Sequence, residues 1–252
     1  MTDRAQPRHI EPDSFGAMPS IAAGFSQRQG GVSEGPFASL NLGLRSGDRA
    51  ERVLENRRRL FRPLGFDVTD LAVAGQVHGS DVRVVKEPGL YGGCDGLVTT
   101  EAHLPLCITS ADCTVVLLAD PQAGVVGACH SGWRGTVEKV AAETVRRMIE
   151  CGAAAAGMRA YISPCISTEH FEVGPEVANR FCADHVVRRA DWPKPHVDLK
   201  GALASQLIRA GIDGRSVEIS GRCTFAETDS FYSYRAEGGR TGRMMGFIAL
   251  RL

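Results

Sequence analysis

No Cys-x-x-Cys pair occurs among the eight cysteines of this 252-residue chain (94, 107, 113, 129, 151, 165, 182 and 223). That argues against a structural four-cysteine zinc site and leaves most of these thiols as small buried apolar residues. No Gly-Lys-Ser/Thr follows the Gly30-Gly31 turn, so there is no Walker loop. Charge of one sign is not in excess. The 29 basic and 29 acidic residues cancel, and the Arg57-Arg58-Arg59 triplet reads as a solvated helix face, which sets nucleic acid aside as the main partner. No apolar run approaches a membrane span, and the first twenty residues carry no apolar signal-peptide core. The expectation is a reducing, cytoplasmic compartment with no membrane partner.

Internal repeats, low-complexity tracts and linkers are also absent. Residues 1–20 are polar and without periodicity, and read as a loose arm; residues 21–252 read as one catalytic domain. Asp48 is placed to cap a helix to about Leu60. Strand signals follow at 71–77, 82–86, 96–99, 105–109, 114–120 and 124–130. A helix to about Ile149 comes next, then a strand at 158–163, helices at 174–183 and 198–210, and strands at 216–220 and 245–251. Strands come in runs of hairpins, which favours an α+β fold with mixed or antiparallel sheets over a doubly wound one.

Three segments carry a thiol and imidazole pattern: Gln76-Val-His78-Gly, Ala-Asp112-Cys113, and Cys-His130-Ser-Gly-Trp-Arg134-Gly. One cysteine and two histidines hold a zinc ion while leaving its fourth position open. The turn signal Asp-Pro-Gln-Ala-Gly joins the strands at 114–120 and 124–130. In a hairpin, position i then faces a position near 244 − i, which puts Cys113 beside His130 as co-ligands or as a thiolate–imidazole pair. His78 has to be delivered by the tertiary fold.

Each residue also has a plainer reading. Cys113 opens an apolar strand, where an inert buried thiol is the default. Asp112 serves either as a turn residue or as a base and orienting group near the metal. Trp133 and Arg134 offer stacking and a guanidinium to an anion at a helix start, or simply a packed ring and a solvated arginine. Gly30-Gly31 is a tight turn or a backbone cradle for phosphate.

At these residues the chain resembles the bacterial peptidoglycan-editing factor family, also called the laccase-domain or multicopper polyphenol oxidase family. The supporting segments run from Gly24-Phe-Ser through Ser39-Leu-Asn41-Leu-Gly43, Glu55-Asn56-Arg57, Gln76-Val-His78-Gly, Asp95-Gly-Leu-Val and Ala111-Asp-Cys113. They continue through His130-Ser-Gly-Trp-Arg-Gly135, Pro164-Cys165-Ile166 and Thr241-Gly-Arg243. The resemblance implies an α/β/β/α sandwich and zinc on His78, Cys113 and His130. It also implies phosphorolysis of adenosine, inosine, guanosine and methylthioadenosine, together with deamination of adenosine. Asn41, Arg57 and Gln76 are then candidate substrate contacts, and Arg134 the candidate anion holder. Two departures stand out: Ser131 where the family usually has alanine, and Thr114-Val115-Val116 where a proline is usual after the cysteine.

Three rival chemistries remain at this stage. Cys113 with His130 as base gives a metal-free amide hydrolase, which suits the family's association with removing serine from a muramyl peptide precursor. Copper in place of zinc gives oxidase chemistry, but seven histidines with no His-x-His pair do not build a trinuclear cluster within one chain. The last rival is a non-catalytic, metal-stabilised binding protein.

Overall fold

In the computed structural model, which describes residues 6–251, most strands are buried on both faces. Two six-stranded mixed sheets account for this. The first runs in the order His9–Ile10, Ile21–Ser26, Met244–Leu250, Leu106–Ser110, Ala72–Gly75, Gly89–Gly92. The second runs Val217–Ile219, Arg159–Ile162, Thr114–Asp120, Val125–Ser131, Gly96–Thr99, Val82–Val84.

Side-chain alternation shows how the layers stack. Val115 and Leu117 point between the sheets, where they meet Ile108, Phe25 and Ile248. Their neighbours Val116 and Leu118 point outward onto the helices Val140–Glu150 and Leu199–Arg209, meeting Val145, Met148 and Leu203. On the other side, Met245 and Phe247 of the C-terminal strand pack against Leu60 and Phe61 of the helix Ala50–Phe61. The result is a single helix–sheet–sheet–helix domain. Coverage of both faces explains why the central strands read as continuous apolar runs. Among the described residues no helix is long and apolar enough to cross a membrane.

The structure departs from the sequence expectations in five places, the first being the Arg57-Arg58-Arg59 triplet, where Arg57 turns inward and is buried instead of joining a solvated face. His9–Ile10 pairs antiparallel with Phe25 and Ser26, and Phe15 is buried in the core between the sheets. The described part of the expected loose arm therefore closes a sheet edge, and residues 1–5 lie outside the described residues. Asp48 is not the helix cap: Arg49 occupies that position, and Asp48 instead accepts from Ser33 Oγ and Asn41 Nδ2. The helix after His130 breaks into Trp133–Val137 and Val140–Glu150, with Lys139 at φ +64° between them. This turn lets the first piece stay at the hairpin end while the second lies on the sheet. The helix expected at 174–183 is only Pro175–Ala178, whose one buried residue, Ala178, gives no apolar stripe to carry further turns.

Candidate metal centre

Thr114–Asp120 and Val125–Ser131 form the expected hairpin, with Thr114 opposite Ser131 and Val115 opposite His130. The register is one residue from the sequence expectation, so Cys113 sits diagonally from His130 and beside Gly132. A Cβ on Gly132 would lie 2.8 Å from Cys113 Sγ, so glycine is what makes room for the thiol. His78, in the loop after strand Ala72–Gly75, completes the group. The ligand atoms of His78, Cys113 and His130 all lie within 4.8 Å of one another, and the two imidazole rings meet edge-on at 4.8 Å. Tetrahedral coordination places such donors about 3.3–3.8 Å apart, so modest side-chain movement closes them on an ion. His130 is buried and His78 exposed, which leaves the group reachable from solvent on one side.

Asp95 organises the three, and sequence reasoning gave it no role. Its side chain is fully buried (0% exposed) between the His78 loop and the hairpin. Oδ1 accepts from the His78 amide at 3.0 Å, and Oδ2 from the amides of Val77 at 3.0 Å and Gly79 at 2.8 Å. Oδ1 also meets His130 Nδ1 at 2.8 Å, while the Asp95 carbonyl accepts the His130 amide at 2.7 Å. One carboxylate thus fixes a histidine's backbone in a loop and a histidine's ring on the hairpin strand. It also fixes the tautomer: with Nδ1 donating to Asp95, His130 presents Nε2 toward Cys113. A buried acid ahead of an apolar strand, Asp95-Gly-Leu-Val, was the available signal.

His78 and Asp112 both adopt left-handed backbone conformations, at φ +64° and +83°. Non-glycine residues hold such angles only where the surroundings over-determine them. Asp95 does this for His78. Asp112 is held through its own carboxylate, which accepts from Thr224 Oγ1 at 2.6 Å and the Arg235 amide at 2.7 Å, and through its carbonyl, which accepts from the Ile166 amide. Both carboxylate oxygens are engaged in shaping the loop that delivers Cys113.

The electrostatics favour a charged pair. Burial alone would push the Cys113 thiol up, but the charge of His130 and hydrogen bonds from His130 and His78 bring it down to about 6. Burial likewise opposes charge on His130, and the thiolate with Asp95 reverses this and raises it. Asp95 is desolvated too, yet His130 and the loop amides hold it below the usual carboxylate range. On metal binding the preformed thiolate would ligate directly, and His130 would give up the proton on Nε2 while keeping Nδ1–H on Asp95.

The remaining predicted residues divide sharply. Gln76, Arg57 and Asp112 line a cavity of about 780 Å³ that contains the His78/Cys113/His130 group. Gln76 is turned onto Thr109, bonding its amide, hydroxyl and carbonyl, and so extends the sheet pairing one residue past the strand. Asn41 is fully buried and serves as a brace: Oδ1 accepts from the Gly43 and Arg243 amides, and Nδ2 donates to Ser46 and Asp48. Arg134 requires correction. It is exposed, lies over the Trp133 ring at 5.0 Å, and is not among the residues lining the cavity. Its helix, Trp133–Val137, has only five residues and points the side chain outward. Gly30-Gly31 is a packing turn: a Cβ on Gly31 would lie 2.1 Å from the Ser39 carbonyl oxygen.

Comparison with known proteins follows the same lines. The model of the family described as multi-copper polyphenol oxidoreductase laccase matches residues 22–251. A Deinococcus radiodurans protein named purine nucleoside phosphorylase is 44% identical over 235 residues, covering 92% of this chain and 90% of its own. A protein named adenosine deaminase RL5, from an unknown prokaryotic organism, is 35% identical over 236 residues, covering 87% of this chain and 90% of its own. The crystal structure of YlmD from Geobacillus stearothermophilus superimposes with a TM-score of 0.90 at 32% identity, covering 100% of this chain and 98% of that one.

Proposed function

The chain belongs to the multi-copper polyphenol oxidoreductase laccase family, and on that premise we propose that it is a zinc-dependent purine nucleoside phosphorylase that also deaminates adenosine. Adenosine, inosine, guanosine and methylthioadenosine are the proposed substrates, and inorganic phosphate the co-substrate. The observation that carries this reading is the open donor set of two imidazoles and one thiolate inside a 780 Å³ cavity large enough for a nucleoside. The names of the relatives agree with it.

His78, Cys113 and His130 would hold the zinc, which supplies Lewis acidity toward a substrate oxygen or water when bound. In phosphorolysis a phosphate oxygen forms a bond to ribose C1′ as the C1′–N9 bond breaks. The bond pair moves onto the purine, which takes a proton, leaving base and ribose 1-phosphate. In deamination an oxygen from water replaces the 6-amino group, released as ammonia. Asp95 keeps His130 from turning away, and Asp112 and Gln76 hold the cavity wall in shape. The described cysteines are all free thiols, consistent with a reducing cytoplasm as the proposed location.

A second reading has its own observation. Cys113, His130 and Asp95 form a thiolate–imidazole–carboxylate chain of the kind cysteine hydrolases use. Without metal, Cys113 would attack an amide carbonyl, His130 would give the leaving amine a proton, and water would release the acyl group. A serine-containing muramyl peptide precursor is the proposed substrate for that route. Multi-copper oxidation has no such support, because among the described residues one group alone gathers three metal-binding side chains.

Chromatography of adenosine incubated with zinc-loaded protein, with and without phosphate, tests the main reading. Adenine with ribose 1-phosphate, or inosine without phosphate, supports it. Neither product from a zinc-loaded protein sinks it and moves attention to the muramyl substrate.

A further inference from the structure

The wall of the cavity that contains the metal group carries an unbalanced charge. Arg45, Arg57, Arg235 and Arg243 line it, and the acidic residue among the lining side chains, Asp112, has both oxygens committed to Thr224 and the Arg235 amide. Among the described residues none of these four arginines makes an ion pair, whereas surface arginines such as Arg52, Arg146 and Arg215 each hold a carboxylate. The contrast is sharpest for Arg57. It is 7% exposed, on the inner face of helix Ala50–Phe61, and its Nε and Nη2 donate to a neutral partner, the Leu42 carbonyl, at 3.0 and 2.8 Å. A buried guanidinium is costly to keep without an anion.

The local backbone says which second arginine belongs with it. Leu42 is bonded to Arg243 through its amide, and the Asn41 side chain ties the Gly43 and Arg243 amides together. The Arg243 side chain then crosses Gly43 so closely that a Cβ there would lie 2.6 Å from Arg243 Cγ. Its Nη1 is anchored on the carbonyls of Thr241 and Gly242, both at 2.8 Å. Among the described residues no hydrogen-bond partner is seen for Arg243 Nε or Nη2, or for Arg57 Nη1, although the Arg243 guanidinium lies over the Tyr234 ring at 5.6 Å. Arg243 lines the same cavity as His78, Cys113 and His130. Arg57 and Arg243 thus flank the two-residue segment Leu42-Gly43, each held by backbone carbonyls with donors to spare.

We propose that Arg57 and Arg243 form the oxyanion subsite of this cavity and hold inorganic phosphate facing the His78/Cys113/His130 group. The Arg243 Nε/Nη2 edge and Arg57 Nη1 are left to offer a tetrahedral dianion charge-assisted hydrogen bonds, and Arg57 is already buried before binding. Asn41 and Gly43 act as positioning residues, one bracing Arg243 by its amide, the other leaving space for its side chain. The assignment rests on the phosphorylase reading of the same cavity, and the phosphate bound here would be the group transferred to ribose C1′.

The test is steady-state phosphorolysis of inosine by the zinc-loaded protein as phosphate is varied, beside calorimetric titration with inorganic phosphate. Arg243→Gln should raise the KM for phosphate at least tenfold while the KM for inosine moves less than threefold, with phosphate affinity falling in parallel. Arg243→Lys should recover part of the loss. Gly43→Ala, which keeps both charges but displaces the side chain, should also raise the phosphate KM. An unchanged phosphate KM in Arg243→Gln, or equal rises in both KM values, overturns the subsite while leaving phosphorolysis intact. If the wild type binds phosphate, Arg243→Gln does not, and no ribose 1-phosphate forms with either, the subsite stands and the phosphorylase reading falls.

Discussion

His130 Nδ1 lies 2.8 Å from Asp95 Oδ1, and the same carboxylate receives three consecutive amides of the loop that carries His78. The two histidines of the centre therefore share one anchor, His130 by its ring and His78 by its backbone, although 52 positions separate them in sequence (130 − 78).

Asp95→Asn keeps the shape but offers an amide where His130 and the three backbone N–H groups need an acceptor. Zinc affinity should fall about 10–100-fold. Competition against a chromophoric chelator measures it, and an unchanged affinity would show that the ligand loop does not depend on Asp95.

Removal of the metal should expose a reactive thiolate. The Cys113 thiol is brought down to about 6 from an ordinary value of 9.0. As pH falls through about 6 the thiolate is protonated, so the iodoacetamide rate of chelator-treated protein should be flat above this and drop below it. Added zinc should protect the residue. A midpoint near that of a free thiol would contradict the charged pair.

Gly132→Ala would place a Cβ 2.8 Å from Cys113 Sγ. The thiol must shift, and zinc content should drop with little change in the melting temperature. Full zinc occupancy would mean that the loop can yield.

Asn41→Ala removes four hydrogen bonds of a buried side chain, to Gly43, Arg243, Ser46 and Asp48. We expect a stability loss of roughly 2–4 kcal/mol in urea unfolding. A loss below about 0.5 kcal/mol would show that the fold does not depend on this brace.

How much of this was legible in the sequence depends on how local the cause was. The hairpin around Asp-Pro-Gln-Ala-Gly could be read because apolar runs and a turn signal lie side by side, and it brought Cys113 close to His130 with a one-residue error in register. The sandwich came from family resemblance; buried strands in both sheets look alike in sequence whichever neighbour covers them. Asp95 escaped because its partners are mostly backbone amides, which leave no mark in a sequence. Arg134 was misplaced because which residues of the short helix Trp133–Val137 face solvent is a tertiary choice. Arg243 could not be chosen as an anion holder until the fold set it across Gly43.

The central claim is that the His78/Cys113/His130 group is a zinc-dependent site for nucleoside chemistry. The most direct measurement titrates zinc into chelator-stripped protein and follows adenosine consumption in phosphate, beside Cys113→Ala. Turnover rising in proportion to zinc and saturating at about one ion per chain, with none in a folded Cys113→Ala, is the predicted result. Turnover independent of zinc, or retained by Cys113→Ala, would contradict it.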